Sequence, residues 1–154
     1  MSKESLDNLE LATPISDEDW NRYYDLRWQV LRKPWNQPRG SERDDLDATA
    51  FHLMLRDQSG DVVAIGRLHL NSPEEAQVRY MAVQDPWQGR GLGGRILQGL
   101  EQQARDQSVR CIVLNAREGA INFYLKRGYL IEGPAETLFG AIHHVRMGKD
   151  VSGS

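Results

Sequence analysis

The run Gln88-Gly89-Arg90-Gly91-Leu92-Gly93-Gly94 is where residue types and spacing point most directly to chemistry. Glycines accept positive φ and let a ligand approach the main chain closely. The stretch that follows, Leu92 to Gln107, places Leu92, Ile96, Leu97, Leu100 and Ala104 on one stripe and predicts an amphipathic helix. The start of such a helix offers N–H groups without intrahelical acceptors and the positive end of its dipole. A glycine turn running into it is a main-chain cradle for a diphosphate.

Two common phosphate turns do not fit. Gly89, Gly91 and Gly94 match G-x-G-x-x-G, but a dinucleotide site needs an acidic residue at the end of the next strand, where Asn115 stands. A P-loop needs Lys followed by Ser or Thr after its last glycine, and Gly94 is followed by Arg95.

A third pattern, Gln88-x-x-Gly91-x-Gly93, resembles the acyl-CoA-binding loop of the GNAT superfamily of N-acetyltransferases. Its surroundings agree. Arg79-Tyr-Met-Ala-Val83 is similar to the family's fourth strand, and Asp85-Pro86 to the approach to its loop. Phe123-Tyr-Leu-Lys-Arg-Gly-Tyr129 resembles the closing helix motif F/L-Y-x-x-x-G-F/Y. Within the superfamily the small ElaA-like branch is the most similar, through Leu26-Arg27-x-x-Val30, Asp45-x-Asp47, His52-Leu53, Asn115-Ala-Arg, Asn122-Phe-Tyr124 and Ile142-x-His144-x-x-Met147. In that last stretch His143 replaces the branch's Pro.

The resemblance implies an enzyme moving an acetyl group from acetyl-CoA, its cosubstrate, to a primary amine by direct attack in a ternary complex. Pantetheine would pair with the main chain of Met81, Ala82 and Val83, and the diphosphate with N–H groups of Gln88, Gly89, Arg90, Gly91, Leu92, Gly93 and Gly94. Arg90 and Arg95 are either further phosphate contacts or solvated loop cations. Tyr124 would be the general acid facing the CoA sulfur. A phenol of pKa ~10 protonating a thiolate of ~8.5 is uphill by ~2 kcal/mol, so partial transfer or a strong hydrogen bond has to suffice. Many family members carry Asn seven residues before this Tyr, where this chain has Arg117. Asn115 or Asn122 takes over that cofactor contact, or Arg117 meets a phosphate instead.

A base must also deprotonate the amine. His52, His69, Glu75, Glu118 and His144 are the candidates, with His144 favoured by the resemblance. Glu42, Asp44, Asp45 and Asp47 crowd one loop, either as solvated charges or as an attraction for a cationic acceptor. The alternative function is a non-catalytic acyl-CoA-binding regulatory module.

The elements needed to position these groups follow from periodicity. Ser16-Asp-Glu-Asp19 predicts a helix start, with Trp20, Tyr24, Trp28 and Leu31 along its apolar face and Pro34 after its end. Strands are predicted over Phe51–Arg56, Val62–Leu70, Gln77–Val83, Val109–Leu114, Tyr129–Glu132 and Ile142–Met147, and a short helix over Gly119–Arg127 capped by Gly128. The fold class is mixed α/β: one domain with a mostly antiparallel sheet, a parallel crossover at the glycine loop, and flanking helices. Residues 1–14 read as a flexible leader, 15–150 as the acyl-CoA-binding N-acetyltransferase domain, and Val151–Ser154 as a loose tail.

Bulk properties narrow the class. Of 154 residues, 40% are hydrophobic and 27% charged, ordinary for a globular protein. A net charge of −3 argues against nucleic acid as a partner. No apolar run reaches the ~18 residues of a membrane span. Cys111 alone makes no disulfide framework; it reads as a small hydrophobe in a buried strand, and the compartment as cytoplasmic. The scattered histidines, with adjacent His143 and His144 on opposite strand faces, offer no metal site. The resemblance implies a small-molecule or protein amine as partner, with no nucleic acid or membrane, and a homodimer is an open alternative.

Overall fold

The computed structural model describes residues 6–153. The chain divides into two compact units, one running to Leu68 and resuming over Tyr80–Leu100, the other formed by His69–Arg79 and the chain from Glu101. Among the described residues there are seven strands, β1 (Glu10–Ala12), β2 (Phe51–Arg56), β3 (Val62–Leu70), β4 (Glu75–Val83), β5 (Cys111–Arg117), β6 (Leu130–Leu138) and β7 (Ile142–Asp150), with helix α1 (Asp17–Leu31) after β1, α2 (Leu92–Asp106) after β4 and α3 (Ile121–Leu125) after β5. The strand order is β1-β2-β3-β4-β5-β7-β6, with β4 and β5 parallel. This is the mixed, mostly antiparallel sheet with one parallel crossover that the sequence predicts.

In the first unit, α1 starts as expected. The Ser16 hydroxyl accepts from the Asp19 amide at 3.0 Å while the Asp19 carboxylate accepts from the Ser16 amide, which satisfies two donors of the first turn. Its buried face differs from the sequence reading. Tyr23, Leu26 and Arg27 are the buried residues, whereas Trp20, Tyr24, Trp28 and Leu31 are only partly covered. Apolar periodicity misses this because an arginine sits at the centre of the inward stripe. Tyr23 and Leu26 join Met54, Val62, Ile65 and Ala82 in the core.

The five-residue stripe of α2 is buried throughout. Gly66 on β3 lets it come close, since a Cβ there would lie 2.6 Å from Ile96 and 3.0 Å from Leu100. The reading of residues 1–14 as a leader is corrected for its described part. Leu6–Asn8 form a 3-10 turn, Leu9 is buried, and β1 pairs antiparallel with β2 through Leu11↔Leu55. Residues 1–5 lie outside the described residues.

In the second unit the parallel register runs from Glu75↔Cys111 to Val78↔Leu114. β5 pairs with β7 along its whole length, ending at Arg117↔His144. The final strands are longer than the sequence predicts, and the residues read as a loose tail begin anchored: Val151 is buried and its amide donates to the Arg110 carbonyl at 2.9 Å. The short helix after β5 is a 3-10 turn (Glu118–Ala120) leading into α3, and Gly128 ends that segment at φ +92. Cys111 stands at the start of β5 and is half-buried rather than buried. Burial and then Glu75 push its thiol upward, which disfavours the thiolate form.

Candidate active site

The residues singled out by the sequence divide between the two units. In the first, β4 ends at Val83 and a 3-10 turn over Asp85–Trp87 follows, with proline inside its first turn. Gly89 and Gly91 adopt φ +77 and +82, values that disfavour an L side chain. Gly91 then starts α2: the first amide to reach back is Arg95, which donates to the Gly91 carbonyl at 3.3 Å. The amides of Leu92, Gly93 and Gly94 precede any intrahelical acceptor. These donors, with no Cβ at Gly89 or Gly91 to cover them, form a set that fits a diphosphate.

Gln88 plays a different part. Its amide donates to the Asp85 carbonyl at 3.2 Å, and its side-chain nitrogen to the Val83 carbonyl at 3.1 Å and to Asp85 Oδ1 at 3.2 Å. It therefore ties the turn to the end of β4. Arg95 donates to the Leu6 carbonyl at 3.2 Å, and the Arg90 guanidinium lies 4.7 Å from the centre of the Trp87 ring.

The same strand holds a feature without a sequence signal. Tyr80, directly before Met81, Ala82 and Val83, has φ +59. For a bulky residue inside a strand this left-handed conformation is a strained exception. Its hydroxyl donates to Asp44 Oδ2 at 3.1 Å, and the Arg27 guanidinium lies 4.1 Å from its ring centre.

Asp44 belongs to the acidic loop, most of whose carboxylates already have partners within the fold. Arg27 and Arg67 are both fully buried, and their Nη1 atoms each lie within 3.1 Å of Asp47. Arg67 also bonds Asp44 at 2.6 Å. Partial burial pushes the Asp44 carboxyl up, but the hydrogen bond and charge of Arg67 outweigh it and hold it at about 2. Asp47 is likewise held below the usual carboxylate range: burial acts against it, while the Asp44 amide and the two guanidinium groups prevail. Glu42 is also buried and accepts from the Gly40 amide at 2.7 Å. Asp45 alone of the four is exposed. His52, a candidate base, is buried with both ring nitrogens engaged, so it supports this loop instead.

In the second unit, Tyr124 on α3 is buried, its ring edge-on to Phe123 at 5.0 Å and to Tyr129 at 5.7 Å between centres. Among the described residues its hydroxyl has no hydrogen-bond partner. Burial pushes the phenol up to about 12 against the pull of Arg117 and Arg127, so it is fully protonated at neutral pH. Tyr129 is held differently, donating at 2.9 Å to Glu101, which also pairs with Lys149 at 3.1 Å.

Asn115, Asn122 and Arg117 are all exposed, and of the three Arg117 is the one whose charge acts on Tyr124. His69 is buried with Nε2 3.1 Å from Asn71 Oδ1, Glu75 accepts from the Asn71 amide at 2.9 Å, and Glu118 is exposed in the 3-10 turn. His144 is half-buried opposite Arg117, with Nδ1 3.0 Å from the Ile142 carbonyl. A carbonyl only accepts, so Nδ1 carries a proton, and in the neutral ring Nε2 keeps the lone pair.

Relatives place this arrangement. Residues 20–129, which include the glycine turn and Tyr124, match the Acetyltransferase (GNAT) family. YjcF of Bacillus subtilis (strain 168), named an uncharacterized N-acetyltransferase, is 30% identical over 135 residues, covering 88% of this chain and 95% of that protein. Among solved structures, Escherichia coli ElaA superposes with a TM-score of 0.75 at 19% identity, over 92% of this chain and 97% of its own. A GNAT family acetyltransferase from Elizabethkingia anophelis with acetyl-CoA bound gives a TM-score of 0.71 at 15% identity, over 94% and 99%. The chain belongs to the GNAT acetyltransferase family and, as a member, is an acetyl-CoA-dependent acyltransferase.

Proposed function

We propose that this enzyme transfers the acetyl group to a primary amine, of a small molecule or a protein, by direct attack in a ternary complex. The observation that carries the reading is the donor set ahead of α2, formed by glycines at positive φ inside the family-matched segment. In this reading the amides from Gly89 to Gly94 hold the diphosphate, aided by the dipole of α2. Gln88 keeps the turn in place rather than donating its own amide. The main chain of Met81, Ala82 and Val83 aligns the pantetheine arm, and an N–H of that strand stabilises negative charge on the thioester oxygen, worth ~3 kcal/mol. Asn115, Asn122 or Arg117 supplies the remaining cofactor contact.

Acetyl-CoA supplies an activated acyl group on a good leaving thiolate. His144 Nε2 takes the proton that the attacking amine loses as its nitrogen bonds to the acyl carbon. Tyr124 acts as the C–S bond breaks. With its phenol at about 12 against ~8.5 for a thiol, complete proton transfer is uphill by ~5 kcal/mol. Tyr124 therefore works as a strong hydrogen-bond donor to the departing sulfur, and the proton on sulfur comes finally from solvent. The lone Cys111, with no disulfide framework, supports a cytoplasmic setting.

The experiment is release of free thiol from acetyl-CoA across a panel of amines, with Tyr124→Phe alongside the unaltered enzyme. The variant should lose about 100-fold in kcat and bind acetyl-CoA as before. Unchanged turnover removes Tyr124 from the reaction. Acetyl-CoA binding without turnover on any amine would leave a binding module instead of a catalyst.

A further inference from the structure

The left-handed kink at Tyr80 has a cost and a holder. A non-glycine residue in this region is strained, and it stays there only where its surroundings over-determine it. Here they do. The Tyr80 hydroxyl donates to Asp44 Oδ2 at 3.1 Å, and Asp44 is itself fixed by Arg67 at 2.6 Å and by the Leu46 amide at 2.9 Å. The ring lies among guanidinium groups, with Arg27 4.1 Å and Arg67 4.8 Å from its centre. Those two arginines are fully buried and share Asp47, so the slot around the ring is lined by cations with partners of their own.

The kink comes immediately before Met81, Ala82 and Val83. Strand groups alternate from side to side with a period of two, so backbone rotation at one residue re-aims the N–H and C=O groups that follow. The geometry points to Tyr80 as a positioning residue. Its hydrogen bond to Asp44, backed by Arg27 and Arg67, sets the direction of the main-chain groups of Met81–Val83 that engage the thioester arm. This rests on the acetyl-transfer reading above. The diphosphate turn is held separately, by Gln88 on Val83 and Asp85 and by the start of α2.

The two parts of the ligand can be probed apart. Calorimetry with acetyl-CoA and with 3′-phospho-ADP, its nucleotide diphosphate portion, is run on the unaltered enzyme, Tyr80→Phe and Asp44→Asn. Tyr80→Phe keeps the ring among the arginines and removes only the hydroxyl. It should weaken acetyl-CoA about tenfold, the worth of one hydrogen bond to a charged acceptor, and leave 3′-phospho-ADP unchanged. Asp44→Asn should shift the two ligands in the same unequal way, and it decides the matter if Tyr80→Phe does not fold. Equal weakening of both ligands, or no weakening of acetyl-CoA, overturns the role of Tyr80 and leaves acetyl transfer standing. Failure of the unaltered enzyme to bind acetyl-CoA instead sinks the transfer reading, and the role of Tyr80 with it.

Discussion

The hydroxyl of Tyr23 on α1 lies 2.8 Å from Nδ1 of His52 on β2, and the other ring nitrogen, Nε2, lies 2.8 Å from the Asp47 carbonyl. The carbonyl can only accept, so Nε2 carries a proton; in the neutral ring that burial favours, Nδ1 accepts from the Tyr23 hydroxyl, whose one proton also faces the Gly66 carbonyl at 3.2 Å. That hydroxyl also accepts from Arg27 at 3.2 Å. His52 is thus a neutral strut between the first helix and the acidic loop.

Its titration follows from that placement. Burial first, and then the Arg27 charge, outweigh the favourable pull of Asp47 and hold the imidazole below its usual 6.5. A histidine with a depressed folded pKa binds its proton more readily when unfolded. Its contribution to stability is complete above pH 6.5 and is lost as pH falls from there through the folded value. Urea midpoints of the unaltered protein should decline from pH 7 to 5, and His52→Gln should show a shallower decline. Parallel curves for the two would remove His52 as the cause.

The buried arginines predict a contrast between two ion pairs. Asp47→Ala leaves Arg27 without its carboxylate partner at zero exposure, which should cost about 3–5 kcal/mol in urea denaturation. Arg39 and Asp25 form a pair at 2.8 Å with side chains 64% and 40% exposed. Asp25→Ala should cost less than about 1 kcal/mol. Similar losses from both would mean that the buried network is worth no more than a surface pair.

Two glycines should fail for different reasons. An alanine at Gly91 meets no atom within 4 Å but must hold φ +82, so Gly91→Ala should cost about 1–2 kcal/mol and weaken acetyl-CoA binding as well. Gly66→Ala would press its Cβ on Ile96 and on Met81 Sδ at 2.7 Å. It should cost about 1–3 kcal/mol from overpacking in the absence of any ligand. Chemical denaturation with and without acetyl-CoA separates the two.

Tyr124 gives a prediction at high pH. Its phenol is raised from 10.0 to about 12 by burial, so the folded state holds that proton more tightly than the unfolded chain. The stability it contributes is present below pH 10 and is lost as pH rises through about 12. Ultraviolet titration should show that Tyr124→Phe removes a phenol from the late-titrating group and none from those ionising near 10. Arg117→Gln, which removes a charge that lowers this phenol, should move it further up.

Much of this was legible where the signal is local. The Ser16 cap, the limits of β2 and β3, and the buried stripe of α2 follow from neighbouring residue types, because capping and periodicity act within a few residues. The glycine turn is legible for the same reason. Tyr80 is not, since no residue pattern announces a tyrosine at positive φ, and the carboxylate its hydroxyl meets lies 36 positions away. β1 is missed because three residues carry too little pattern to show that Leu55 waits opposite Leu11.

By itself the sequence determined where a glycine turn leads into an amphipathic helix, and that a phenol closes the second motif. The fate of the charges was decided by tertiary structure alone. Glu42, Asp44 and Asp47 look like a solvated run beside one another, yet Arg27 from α1 and Arg67 from β3 draw the two aspartates inward. A carboxylate enters a core only when a cation arrives with it, and the residues that supply those cations lie on other elements of the chain.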